Sequence, residues 1–288
     1  MKVTGIVAEY NPLHNGHCYQ LQQARQQTQA DVIIVCMSGN YVQRGETAIL
    51  DKWTRAQLAL AAGADIVVEL PFASAVQPAD RFAQGAIALL AQLGCQMLAF
   101  GSEQPTFDYQ TIGQKVSQLP ARTAAFVDYQ KTYATQLNEY YQQTLNLKID
   151  QPNHLLGISY AVANAQLAQP MTLVPISRQV AQHGDQAIKA GQYASASAIR
   201  RAIWQSSPDL AAIAAVVPPA TMDQLQGNLG PQQAQLWPLL QYRINSMPLT
   251  ELRQIYQMSE GLEYRFKKVL PQVDSYLALL QALKTKRY

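Results

Sequence analysis

The chain has 288 residues, enough for one large or two smaller domains with a substantial core. Apolar residues make up 48% and charged residues 14%, which excludes a disordered chain, and the net charge of +3 permits an RNA or phosphate partner without demanding one. No apolar run is long enough to span a membrane and the chain enters a strand at once, so neither a membrane partner nor a signal peptide is expected.

The first hundred residues alternate between two periodicities. Lys2–Ala8 is a β run, and Gly16–Thr28 has helical spacing in Tyr19, Leu21 and Ala24. Asp31–Met37 is a continuous apolar strand of the kind buried on both faces. Asp51–Ala62 is a helix, Ile66–Leu70 a third strand, Ala79–Leu93 a helix and Gln96–Phe100 a fourth strand. Short strands alternating with helices imply βαβ units and a parallel, Rossmann-like α/β sheet. Ligands of such sheets sit beyond the carboxyl ends of the strands. Three polar stretches fall there: Glu9–His17, Ser38–Gly45 and Gly101–Glu103.

Further on, residues 109–150 read as a polar helical insertion, Pro152–Ala168 as a helix and Thr172–Ile176 as a fifth strand. A loop, Ser177–Ser195, leads to a short helix at Ser197–Gln205. Strand signals stop at Pro208, which predicts a catalytic domain over 1–206 and a helical C-terminal region over 207–288. Cys18, Cys36 and Cys95 are odd in number and lack CxxC spacing, so they read as reduced thiols of a cytoplasmic protein, with Cys36 and Cys95 in the core. No Walker A motif, GxGxxG, HExxH or zinc-spaced set occurs, and no protein metal site is expected.

Two of the four histidines fall in one turn, His14-Asn15-Gly16-His17, between a strand and a helix start. A helix N-terminus offers free N–H groups and a positive dipole end to phosphate, and Gly16 allows close approach. The imidazoles can donate to phosphate oxygens as charge develops, so both are expected exposed in a cleft. The second motif is Ser195-Ala196-Ser197-Ala198-Ile199-Arg200-Arg201: a capping serine, with an arginine fork suited to phosphate. Alone it reads as an ordinary capped helix; together with the first motif it reads as functional. Tyr41 and Arg44 could stack on a base, although a lone loop aromatic more often packs. Arg265, Lys267, Lys268, Lys284, Lys286 and Arg287 suit an RNA backbone, or equally a solvated helix.

HxGH after the first strand and Ser-x-x-Ile-Arg after the last resemble the HxGH nucleotidyltransferases. More narrowly, Gly5–His17, Met37–Glu46, Phe100–Glu103, Asn153–Ile158, Ser195–Arg200, Glu260–Glu263 and Lys284–Tyr288 resemble the bacterial tRNA(Met) cytidine acetate ligase family over nearly the whole chain. Chains of that family extend further than Tyr288, and where they carry an aromatic before His183 this one has Gln182, so no stacking role is expected there.

The resemblance implies an ATP-dependent ligase. Acetate and ATP would form acetyl-adenylate, and the acetyl group would pass to N4 of cytidine 34 in the anticodon of elongator tRNA(Met). It implies ATP with Mg²⁺ as substrate and no DNA partner. His14, His17, Ser197 and Arg200 would be catalytic, the last two on the departing pyrophosphate. Val7, Ala8, Glu9, Tyr10, Asn11, Pro12, Leu13, His14, Asn15, Gly16, His17, Gly101, Asn153 and Arg178 would line the ATP site. Lys284, Lys286 and Arg287 would touch tRNA. Two other readings stay open: a metabolite adenylyltransferase, and a non-catalytic RNA-binding protein on a relict fold, the latter opposed by the intact His14, His17, Ser197 and Arg200.

Overall fold

The computed structural model describes residues 1–119, 133–145, 149, 152–178, 188, 193–227, 229–259 and 261–283. Five strands, β1 (Val3–Ala8), β2 (Val32–Ser38), β3 (Ile66–Leu70), β4 (Met97–Ser102) and β5 (Thr172–Ser177), form one sheet in the order β3-β2-β1-β4-β5. Every pairing is parallel, as the alternation of strands and helices predicts. The order turns back between β1 and β4, and such a switch point leaves a crevice at the carboxyl ends of the two strands. The chain β1–β2–β3 winds one way from that crevice, and β4–β5 the other.

Local chemistry explains the elements. In β2, Ile33 to Ser38 are all buried, because helices cover both faces of a central parallel strand. Helix α1 (Asn15–Thr28) begins one residue before expectation, with His14 as its cap. Helix α2 (Lys52–Ala61) is capped by Asp51, whose carboxylate accepts from the Trp53 and Thr54 N–H groups at 2.9 and 3.1 Å. Helices α3 (Phe72–Ala75), α4 (Ala79–Gln92), α5 (Tyr109–Ser117), α6 (Tyr133–Leu145) and α7 (Pro152–Ala165) follow. One turn, as in α3, is too short for periodicity to reveal. Helix α7 stops three residues early because the Asn164 side chain pairs with both backbone groups of Met171, each at 2.8 Å. Helices α4 and α7 pack on each other, as do α5 and α7, where Gly113 lets α5 press onto Ala161.

Helix α8 (Ala196–Ile203) is capped by Ser195, and α9 (Leu210–Ala214) and α10 (Pro219–Leu225) follow. Ile199, Ile213, Val216, Val217 and Leu225 share one buried cluster with Ile6, Ile33 and Val35 of the sheet. Packing therefore groups Met1–Leu119 with Ile149–Gly230, and residues 207–230 belong to the sheet-bearing unit and not to the C-terminal region in which sequence patterning places them. A loss of strand signal marks the end of a sheet, not the end of the layer that covers it. Cys36 and Cys95 are buried as expected.

The second unit comprises Pro120–Lys148 and Pro231–Tyr288. Helices α11 (Gln233–Ser246), α12 (Leu249–Leu252), α13 (Leu262–Val269) and α14 (Tyr276–Leu283) belong to it. Trp237, Ile244, Val269, Leu270, Leu279 and Leu283 form its core. Arg265 donates to the carbonyls of Leu283 (3.0 Å) and Ala282, at the end of α14. Lys267 Nζ donates to Ile244 and Asn245 O at 2.6 and 2.8 Å, at the end of α11. These two cations close helix C-termini, where unsatisfied carbonyls attract positive charge. Both remain partly exposed, so these bonds engage cations that sequence reading offers either to an RNA backbone or to a solvated helix. Lys284, Lys286, Arg287 and the segment Gln182–Asp185 lie outside the described residues.

Candidate active site

The turn after β1 is held rigidly. The Gly16 N–H donates to His14 Nδ1 at 3.1 Å, and the His14 N–H donates to His17 Nδ1 at 3.3 Å. A backbone N–H can only donate, so both Nδ1 atoms are acceptors and each neutral ring carries its proton on Nε2. The two rings stack with centroids 3.7 Å apart, and Tyr10 meets His17 edge-on at 4.9 Å. Burial, then the nearby Arg178 charge, lowers the His14 pKa to about 3. Burial, then His14 and Arg178, holds His17 well below the ordinary imidazole range. At neutral pH the turn therefore presents two uncharged Nε2–H donors at the start of α1.

Burial corrects one expectation. His14 is 4% exposed and His17 is half-buried, so the pair is not openly exposed in a cleft. His14 also serves as the helix cap, which draws its ring inward. The side chains of Tyr10, Asn11 and Leu13 are buried as well, with Tyr10 and Leu13 in the main core. Asn11 Oδ1 accepts from the Ile49 N–H at 2.8 Å, tying the turn to the loop after β2. Within Val7–His17, then, much of the expected ATP-site stretch forms scaffold through its side chains.

A second anchor was not foreseen from sequence. Arg55 on α2 is fully buried and donates to Leu50 O (3.0 Å), Glu9 O (2.6 Å), Ser38 O (3.1 Å) and Gly39 O. Burial pushes its pKa down to about 10, which leaves it charged at neutral pH. It clamps the backbone leaving β1 to the backbone leaving β2. The signal was there: Arg55, Leu58 and Ala59 follow the 3–4 spacing of one helix face, the buried one. Glu9 adds a further tie, accepting from the Gln43 N–H at 2.8 Å, and burial raises its carboxyl pKa.

On the other side of the switch point, Gly101, next to last in β4, lies against Arg178, and a Cβ there would come within 3.3 Å of Arg178 Cγ. Glu103 accepts from Asn153 Nδ2 and lies 3.8 Å from Arg178 Nε, so it joins two predicted site residues. Behind it, Ser102 Oγ, Tyr109 OH and His154 Nδ1 form a buried chain at 2.7 and 2.8 Å. His14, Gly16, His17, Tyr19, Gln20, Gly101, Ile176, Ser177 and Arg178 line one cleft. The structure thus brings the first motif together with Gly101 and Arg178. Tyr19, Gln20, Ile176, Ser177 and the link through Glu103 were missed, because helix periodicity and strand ends do not say which residues face one another.

The Ser195 motif reaches the same turn from the other end of the sequence. Ser195 Oγ accepts from the Ala198 N–H at 3.2 Å, and Ser197 Oγ lies 3.1 Å from Ser195 Oγ. Arg200 donates to Asn11 O at 2.7 Å and lies 3.4 Å from Glu46 Oε2. Asn15 completes the joint, donating to Val216 O at 3.0 Å.

A parallel sheet with this switch point, two stacked histidines on the first helix start and an arginine across the crevice define a nucleotidyltransferase of the HxGH class. The family model described as HIGH Nucleotidyl Transferase matches residues 1–288. A tRNA(Met) cytidine acetate ligase of Latilactobacillus sakei is 69% identical over 288 residues, covering all of this chain and 73% of the relative. One of Levilactobacillus brevis is 48% identical over 289 residues, covering all of this chain and 74% of the relative. The apo crystal structure of Thermotoga maritima TmcAL superimposes with a TM-score of 0.86 at 29% identity, covering the whole chain and 72% of that one. The same enzyme bound with alpha-thio ATP gives 0.85. The chain belongs to the tRNA(Met) cytidine acetate ligase family.

Proposed function

We propose that this protein activates acetate with ATP and acetylates N4 of cytidine 34 in the anticodon of elongator tRNA(Met). An acetate oxygen attacks the α-phosphorus, the bond to the β-phosphate oxygen breaks, and pyrophosphate leaves. The cytidine amine then attacks the acetyl carbon of acetyl-adenylate, AMP leaves, and the nitrogen loses a proton. The observation that carries this reading is the pair of stacked neutral imidazoles that line one cleft with Gly101 and Arg178. In-line displacement at phosphorus needs positioning and charge stabilisation more than covalent catalysis. An uncharged donor strengthens its hydrogen bond as charge develops, without a cation's standing attraction for the ground-state triphosphate.

His14 and His17 serve that role, with Gly101, Asn153 and Arg178 around the nucleotide. Ser197 and Arg200 flank the departing pyrophosphate, and Arg200 also fixes the turn through Asn11. Mg²⁺ would come with ATP and offset phosphate charge during the displacement, without a dedicated set of protein carboxylates. Lys284, Lys286 and Arg287 supply backbone contacts to the tRNA, and the protein works in the cytoplasm with its substrate.

The test is pyrophosphate release from ATP over a panel of carboxylates, with and without tRNA(Met). Acetate should stimulate ATP–pyrophosphate exchange without tRNA, and sustained turnover should need both. Release driven by nicotinamide mononucleotide or phosphopantetheine would move the protein to the metabolite adenylyltransferases.

A further inference from the structure

Three large aromatic rings stand exposed beyond the ends of β2 and β3: Tyr41 on the loop after β2, Trp53 in the first turn of α2 and Phe72 at the start of α3. Tyr41 is 39% exposed, Trp53 72% and Phe72 63%. Tyr41 and Phe72 form one pair, edge-to-face at 5.7 Å, and Trp53 is tied to the end of β3 through Lys52, whose Nζ lies 5.2 Å from the Trp53 ring centre and bonds Glu69 at 2.6 Å. Isolated surface aromatics need no explanation, but three exposed rings beyond the carboxyl ends of two neighbouring strands, two of them in contact, point to an interaction site.

The loop that carries Tyr41 is built without help from these rings. Tyr41 pairs with Thr47 across a short antiparallel bridge, and the Val42 N–H donates to Glu46 O at 2.9 Å. Gln43 is tied to Glu9, Ile49 to Asn11, and Asn40 Oδ1 accepts from the Lys52 N–H at 2.8 Å. The rings are therefore presented on a scaffold already fixed to the catalytic turn, and a preordered surface loses little entropy on binding. They also lie on the β2–β3 side of the sheet, whereas Gly101 and Arg178 lie on the β4–β5 side.

We propose that Tyr41, Trp53 and Phe72 form the platform on which unpaired bases of the tRNA anticodon loop stack beside the acyl-adenylate site. The assignment rests on the tRNA-acetylating function proposed above. That chemistry requires a base to leave its stack and reach the acetyl carbon, so its neighbours must be held nearby. Single-stranded RNA is recognised by stacking bases on aromatic rings, which any base can satisfy. Charge points the same way: Glu69 neutralises Lys52, so the platform binds through π-faces and not through phosphate attraction.

The experiment uses the full chain with Trp53→Ala, Trp53→Phe and the triple change Tyr41→Ala, Trp53→Ala, Phe72→Ala. Three readouts are taken: acetate-dependent ATP–pyrophosphate exchange, affinity for the tRNA(Met) anticodon stem-loop at several salt concentrations, and N4 acetylation. Exchange should stay within about twofold, which also shows that the variants are folded. RNA affinity should fall about tenfold for Trp53→Ala and further for the triple variant, while Trp53→Phe should recover most of it. The salt dependence should keep its slope, since no phosphate contact is lost. Wild-type RNA affinity in the triple variant, or no recovery with Trp53→Phe, would overturn the platform. Wild-type protein without acetate-dependent exchange would instead break the underlying function.

Discussion

Arginines in the two units of this protein make the same bond to different effect. In the sheet-bearing unit, Arg55 and Arg200 donate to backbone carbonyls at the ends of β1 and β2, and the loop after β1 carries the histidine turn. In the helical unit, Arg265 donates to the last carbonyls of α14, and Lys267 does the same for α11. One set shapes a site; the other finishes helices. A cation counted in a sequence is therefore not yet a contribution to surface potential, because carbonyls compete with phosphates for it.

The comparison breaks most sharply at Arg55. Replacing it with Met leaves four carbonyls without their donor, and each orphaned group costs about 1–3 kcal/mol. Four such groups make the expected loss roughly 4 kcal/mol or more, a large part of a domain's stability, read by urea denaturation. Adenylation should fall with it. A stable and fully active Arg55→Met protein would mean that the clamp is decorative.

His17→Ala should lower acetate-dependent exchange about 10²-fold, the size expected for a lost transition-state donor. Stability should drop far less than for Arg55→Met. Equal, small losses in both measurements would remove the imidazole from the mechanism.

His14 offers a subtler test. Its folded pKa of about 3 lies below its unfolded value, so the unfolded chain binds the extra proton as pH falls. The stability contribution is present above the unfolded pKa near 6.5 and is lost as pH drops toward 3, at up to about 1.4 kcal/mol per pH unit. His14→Asn retains a capping side chain and removes the titration, so its unfolding free energy should depend less steeply on pH between 6.5 and 4. Parallel curves for the two proteins would show that His14 is not buried neutral.

The smallest effect is expected in the helical unit. Arg265→Ala should cost about 1 kcal/mol, the scale of a lost helix cap, and leave adenylation unchanged. Loss of RNA affinity with a shallower salt slope would show that Arg265 serves phosphates after all.

Much of this was legible in the residues. The apolar run of β2 and the helical spacing of Leu21 and Ala24 in α1 report burial directly, because local periodicity is what a sheet or a neighbouring helix reads. The His-Asn-Gly-His turn was legible because strand, glycine and helix start are adjacent in sequence. Glu103 and Arg55 were not assigned roles, since their partners come from other elements. Tyr41 read as a lone aromatic because Phe72, its ring partner, lies 31 residues on, at the start of α3.

By itself, the sequence determined the alternation of strands and helices, the place of the His-Asn-Gly-His turn and the family resemblance, all of which depend on neighbours along the chain. Only the tertiary structure decided the strand order, the inward turn of Tyr10 and Leu13, and the grouping of residues 207–230 with the sheet. It also decided that Arg200 would meet Asn11, 189 residues away, and that both ring protons would sit on Nε2. Those outcomes depend on which donors and acceptors packing brings within about 3 Å, and no local pattern encodes a distance between remote residues.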